Sequence, residues 1–334
     1  MSVTREMRAQ VANIVGPGYG EIICLVADRD DAYGDLLRRR GVTAGSIFTD
    51  LAEAEDAMTA NRNDCLLVYP GDHAVTASIT WDKSVTNIIG VGSKNQRFQP
   101  STLTTGGVRL SCTTAAVAEI LLITGDYVSM YGVGTFNSAA STSNKSDINI
   151  SGRNFYAELC AFRGGNSSTQ TANATAGIPI WVDSATAGGG NAMWIKNCHI
   201  GSPGNADRTK GPGCIYFEGG AAAGFNPVIE NCILSSRHSA STNQSCLVLL
   251  EANYAVDREL LFKSCNFYNF VENLASLMDY AIQDECATTH MITLDPGCTM
   301  TGIDAWCNVG TYCFTTQTNA TSDGGKGIAV DTTP

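Results

Sequence analysis

Four acidic residues recur in the C-terminal half of the chain at a near-constant interval. Asp183, Glu218, Glu251 and Asp284 are separated by 35, 33 and 33 positions. If they stack on neighbouring elements, like charges held close raise one another's pKa or recruit a cation, and paired carboxylates are the working parts of glycosidases. The plainer alternative is that each acid ends a strand and turns into solvent. Gly219 and Ala252, which follow two of them, fit such a turn. No catalytic residue is assigned from this column, and thermal stability with calcium against chelator tests whether it holds a cation.

Four cysteines keep the same step. Cys198, Cys232, Cys265 and Cys298 lie 34, 33 and 33 positions apart, each 14 or 15 positions behind its acid. Three of them sit in one recurring phrase. It reads Trp194-Ile195-Lys196-Asn197-Cys198-His199-Ile200, then Val228-Ile229-Glu230-Asn231-Cys232-Ile233-Leu234, then Leu261-Phe262-Lys263-Ser264-Cys265-Asn266-Phe267. None of the 13 cysteines forms a C-x-x-C pair, which argues against a zinc site or a dithiol redox motif. Thiols spaced this regularly read as a ladder of small, reduced interior side chains.

The remaining chemistry is sparse. His73, His199, His238 and His290 share no spacing; His199 falls on an outward position and the other three in turns or loops. No Gly-x-Ser-x-Gly elbow supports a serine nucleophile. Trp181, Trp194 and Phe267 keep the repeat spacing and read mainly as core, whereas exposed Tyr or Trp side chains would line a carbohydrate groove.

What must position these residues is a repeat. A second phrase keeps step with the first: Ile180-Trp181-Val182-Asp183, Ile215-Tyr216-Phe217-Glu218, Val248-Leu249-Leu250-Glu251 and Ala281-Ile282-Gln283-Asp284. Self-similarity at a fixed period marks a stacked architecture, because one coil cannot bury its apolar face alone. Coils stacked about 4.8 Å apart pair their backbones, with Ile195, Ile229 and Phe262 as one inward column. Lys196, Glu230 and Lys263 then point outward with alternating signs, the arrangement strand neighbours favour. This ladder reads as a solvated, salt-bridged face. Upstream, Ile120 to Ile123 with Tyr127 to Tyr131, and Ile148 to Ile150 with Phe155 to Phe162, supply two less regular coils. Gly/Ser/Thr/Asn-rich stretches at 137–146 and 164–177 read as loops.

Composition narrows the partners. With 32 acids against 21 bases the net charge is −11, which disfavours nucleic acid. No run approaches the ~20 apolar residues of a membrane span. Arg5, Glu6 and Arg8 stand where a signal peptide needs its apolar segment, so synthesis in a reducing cytoplasm is expected. Ser2 to Ile14 reads as a short helix broken by Gly16-Pro17-Gly18-Tyr19-Gly20, followed by a strand over Glu21 to Ala27. Asp31 to Arg40 reads as a helix, and Asp50 with Glu53 as the capped start of another. Strands follow at Cys65 to Tyr69, Ile79 to Lys83 and Val85 to Val91.

The run from Phe48 to Gly92, with its helix, Pro70-Gly71 turn and Gly90-Val91-Gly92, resembles the entry of pectin-lyase-like right-handed parallel β-helices. The later repeats extend the resemblance over most of 48–300. It implies an all-β, single-stranded right-handed solenoid with a short N-terminal helical arm and a capping helix. The implied organisation is an arm and capping region over 1–46, the β-helix over 47–303, and a cap or contact tail over 304–334. The polygalacturonase-like branch carries Asn-Thr-Asp, Asp-Asp, Gly-His-Gly and Arg-Ile-Lys signatures, and the last two are missing. Lyase members use a calcium-binding acidic cluster with an Arg or Lys base. Only the acidic column could imitate it, with Arg258 and Lys263 its nearest bases in sequence.

A β-helix without those signatures resembles the virion proteins of tailed bacteriophages. That implies a non-enzymatic capsid decoration or cement protein, a homotrimer bound to the major capsid protein or other virion proteins, with no cofactor. The alternative is a tailspike-type polysaccharide depolymerase, or a non-enzymatic adhesin for a surface glycan.

Overall fold

The computed structural model describes residues 5–92, 107–183, 189–201, 207–220, 226–238, 245–254, 259–270, 278–286, 290–308 and 313–315. The apolar phrases are short and rich in β-branched and aromatic residues, bounded by Asn, Ser or Gly, and they form strands. A lone strand leaves its backbone groups unpaired. Here each strand pairs in parallel with its equivalents in the coils before and after. Three parallel sheets result, of 11, 8 and 8 strands.

Each coil gives one strand to each sheet in turn. Trp194–Lys196, His199–Gly201 and Pro212–Glu218 form one coil, and Val228–Glu230, Ile233–Ser236 and Cys246–Leu250 the next. The register follows the repeated phrase, Ile195 facing Ile229 and Ile229 facing Phe262. The chain is a right-handed parallel β-helix.

The Asn-Cys phrase is a corner. The backbone turns from the first sheet to the second through one left-handed residue: Asn197, Asn231 and Ser264 have φ of 54°, 50° and 51°. Asn tolerates this region because its short side chain bonds locally. The cysteine that follows points into the corner. Cys160, Cys198, Cys232, Cys265 and Cys298 are all buried. The backbone N–H groups of Cys160, Cys198 and Cys265 donate to the Sγ one coil below at 3.4, 3.4 and 3.5 Å. The thiols of Cys160, Cys198, Cys232 and Cys265 in turn donate to the carbonyl two residues before them, at 3.1 Å from Cys198 to Lys196 and 3.2 Å from Cys232 to Glu230.

The first coils are closed by helices. In α3 (Leu51–Asp56), Asp50 accepts from the backbone N–H groups of Ala52 and Glu53, and Leu51 and Ala54 join the core. Two further helices, α1 (Arg5–Val15) and α2 (Ala32–Arg39), lie elsewhere. Their Met7, Val11 and Leu37 pack with Cys24, Cys65, Leu67 and Ile89 on the outer side of the first sheet. That sheet starts earlier than the 47–303 span, since Ile22–Leu25 already pairs with Ile47–Phe48 and Asp64–Val68. It also runs on through Cys313–Thr315. Residues 316–334 of the expected tail lie outside the described residues.

Candidate functional site

The acidic column lies on the outer face of the third sheet, with one correction. Asp183 faces Glu218, and Glu251 follows the paired Phe217 and Leu250. The next coil is slipped by one relative to the repeat: Leu250 faces Asp284, so Glu285 continues the column. A slip of one residue moves a side chain to the opposite face. Asp284 therefore falls in line with Val182, Phe217 and Leu250 on the inward side, where it is 4% exposed.

Among the carboxylates that do align, Glu218, Glu251 and Glu285 each accept a hydrogen bond. Trp181 Nε1 donates to Glu218 at 2.8 Å, the Gly219 N–H to Glu251 at 2.7 Å, and Gln283 Nε2 to Glu285 at 2.7 Å. Trp181 and Tyr216 beside them are 3% and 5% exposed. An aromatic pair buried to that extent offers no platform to a ligand.

The outer face of the first sheet differs. Parallel pairing sets two columns side by side. One carries Tyr156 and Trp194; the other carries Tyr131, Glu158, Lys196, Glu230 and Lys263. Tyr131 and Tyr156 have ring centroids 5.5 Å apart, and Tyr156 meets Trp194 edge-on at 5.6 Å. Trp194 is 40% exposed, so this row opens to solvent.

The charged column is tied to the aromatic one. Tyr156 donates its hydroxyl to Glu158 at 2.8 Å, and Trp194 Nε1 donates to Glu230 at 3.2 Å. Burial, then the Glu158 carboxylate, push the Tyr156 hydroxyl well above its ordinary pKa. Lys196 Nζ stands 5.3 Å above the Trp194 ring, and Lys263 pairs with Glu230 at 3.2 Å. The corner asparagines complete the edge, Asn231 donating to Asn197 at 2.6 Å and Asn197 to Glu158 at 3.0 Å.

Because α1 covers only the first coils, its edge forms a step onto this face. A cavity of about 600 Å³ lies at the step, lined by Gln10, Asn13 and Ile14 of α1 and by Tyr131, Gly132 and Glu158. At Gly90 the backbone passes so close to the next coil that a Cβ would stand 2.1 Å from the Gly132 carbonyl. The sequence reading took Lys196, Glu230 and Lys263 as a solvated, salt-bridged face. It missed the aromatic row and Glu158, one coil earlier.

Of the histidines expected in turns or loops, His73 lies in the strand Gly71–Ala74 and His238 bridges Arg208, while His290 lies outside the strands. His73, His238 and His290 are buried, at 4%, 1% and 5% exposure. Burial pushes His238 down to about 3, so it stays neutral while Nε2 faces the Gly211 carbonyl at 3.2 Å. Only His199 faces outward, with Nε2 2.7 Å from Ser235 Oγ.

No protein-family model matches the chain, and no curated protein matches it. Solved structures share its fold. It is similar to a pectin methylesterase solved with a hexasaccharide, with a TM-score of 0.51 and 12% identity over 86% of this chain and 81% of that one. It is similar to the pectate lyase Pel9A, with a TM-score of 0.50 and 12% identity over 93% and 82% of the two chains. A capsular polysaccharide depolymerase, the tailspike of the Acinetobacter baumannii bacteriophage Fri1, matches with a TM-score of 0.43 and 13% identity, over 87% and 51%.

The first two of these neighbours overturn the expectation of a non-enzyme. Missing polygalacturonase signatures rule out one branch of the fold only, whereas solved structures sharing this winding include a pectin methylesterase and a pectate lyase.

Proposed function

We propose that the outer face of the first sheet binds and cleaves a polysaccharide, making the protein a glycan-processing enzyme of the tailspike depolymerase type. The observation that carries this reading is the open Tyr131–Tyr156–Trp194 row set beside alternating Glu158, Lys196, Glu230 and Lys263. Sugar rings present C–H faces that stack on aromatic side chains, and their hydroxyls donate hydrogen bonds to neighbouring carboxylates and accept them from amides. The parallel strands repeat this combination along the solenoid axis, which suits a linear polymer. Lys196 and Lys263 supply positive charge to acidic sugars in a chain whose overall charge is negative.

Glu158 and Glu230 stand two strand steps apart in the register. At about 4.8 Å per step their backbones are ~9.6 Å apart. Inverting glycosidases keep their carboxyl groups roughly 6.5–9.5 Å apart, leaving room for a water molecule. In that arrangement one carboxyl group gives its proton to the leaving glycosidic oxygen. The other takes a proton from the attacking water.

The capsid-decoration reading of the same resemblance gives this face no task, and the glycan reading is preferred for that reason. The test is incubation with purified capsular and other surface polysaccharides, following released oligosaccharides by size-exclusion chromatography. Glu230→Gln and Glu158→Gln should each lower release at least ~100-fold with the fold intact. Wild-type protein that binds a glycan and releases nothing would identify an adhesin. Wild-type protein that neither binds nor cleaves any of them would refute the proposal.

A further inference from the structure

The slip that turns Asp284 inward creates a second polar cluster, remote in sequence and sheet from the aromatic row. Asp284 Oδ2 lies 3.0 Å from His290 Nε2, with the two side chains 1% and 0% exposed. The Cys286 N–H donates to Asp284 Oδ1 at 3.0 Å. One donor atom from each of Asp284, Cys286 and His290 lies within 4.8 Å of the others. Apart from that His290 contact, the buried Asp284 Oδ2 accepts no hydrogen bond among the described residues. A carboxylate oxygen withdrawn from water costs several kcal/mol unless a cation or proton meets it.

We infer that Asp284, Cys286 and His290 form a binding site for a zinc-class divalent transition-metal ion that holds Cys286 and His290 to the end of the strand Met278–Asp284. The donor set is one oxygen, one sulfur and one nitrogen. Zn(II) takes that mixture in tetrahedral geometry, whereas calcium and magnesium take oxygen ligands alone. Three protein ligands leave a fourth position for water. The local charge is favourable, since Glu285 adjoins Asp284 in the chain. Binding would release the Cys286 proton to solvent and replace the contact its Sγ makes with the Tyr254 carbonyl at 2.6 Å. This site differs from a cation on the outward acidic column, which would use Asp183, Glu218 and Glu251 without sulfur or nitrogen.

Co(II) reports such a site by its colour, because a thiolate ligand adds a charge-transfer band that oxygen ligands lack. The full-length, reduced protein should take up one Co(II) per chain with that band, and zinc should bleach it. Cys286→Ala should abolish the band, and His290→Ala should weaken Co(II) binding at least 10-fold. For variants that fail to fold, the wild type alone suffices: zinc should raise its Tm relative to chelator, and magnesium should not. A folded wild type with neither the cobalt band nor a zinc-dependent Tm shift overturns the inference. So does a band that survives unchanged in Cys286→Ala.

Discussion

Replacing two tryptophans in parallel separates the proposed glycan face from its structural counterpart. Trp194 is 40% exposed on the first sheet, and Trp181 is 3% exposed on the third. Trp194→Ala removes the edge contact to Tyr156 at 5.6 Å and the Lys196 ammonium contact at 5.3 Å. The aromatic pair contributes about 0.5–1.5 kcal/mol beyond area. A surface cation–π contact adds about 0.5–1 kcal/mol. Stability should therefore fall by only about 1–2.5 kcal/mol, and the β-helix should remain folded. If the exposed ring anchors a sugar, its loss removes about 2 kcal/mol of binding, as for other Trp anchors. That is about 30-fold in Kd.

Trp181→Ala has the opposite profile. The ring packs on Tyr216 at 4.3 Å and donates to Glu218, so truncation should cost about 3–5 kcal/mol of stability. Glycan affinity of the folded fraction should stay within about twofold of wild type. Denaturant unfolding and affinity electrophoresis in a polysaccharide-loaded gel measure the two quantities side by side. If Trp194→Ala binds like wild type while folded Trp181→Ala does not, the first sheet is the wrong face and the reasoning fails.

Two further outcomes follow from the core. Cys232→Ser should lower stability by about 1–3 kcal/mol if the hydroxyl cannot reproduce the bonds around the thiol, with glycan release unchanged; urea denaturation and the release assay check both halves. Asp147 is fully buried, and desolvation pushes its carboxyl up to about 6 despite donors from Thr135, Arg163 and Gly164. Its folded pKa is raised, so its contribution is complete below about 4 and is lost as pH rises through about 6, amounting to roughly 3 kcal/mol. Asp147→Asn should remove that part of the pH dependence, and unfolding free energies of both proteins at pH 4 and 7 should differ accordingly. Equal slopes would contradict the burial argument.

The winding was legible because two different phrases kept one period. The corner shows why. Asn197 and Asn231 accept the left-handed turn, and Cys198 and Cys232 fill its inside, so local conformation and packing repeat together. The N-terminal cap at Asp50 was legible for the same reason, being a local bond between a side chain and its own helix.

The site was harder to read. Tyr131, Tyr156 and Trp194 adjoin only through strand pairing, and the loops between them differ in length, so the row has no sequence period. Asp284 and Glu285 are adjacent acids, and a pattern of carboxylates cannot tell which of two neighbours points inward. The strand register decides it. The buried histidines carry no periodic signal, since His73 lies in the strand Gly71–Ala74, His238 in an isolated bridge and His290 outside the strands.

The cysteine stack makes the protein its own unwinding gauge. Cys160, Cys198, Cys232, Cys265 and Cys298 sit one coil apart along the axis, and all are buried in the folded chain. A thiol inside the wall is closed to an alkylating reagent until its own coil opens. The order in which the five acquire label under mild denaturant, read by mass spectrometry, would therefore report the end from which the solenoid frays and how many coils come away together.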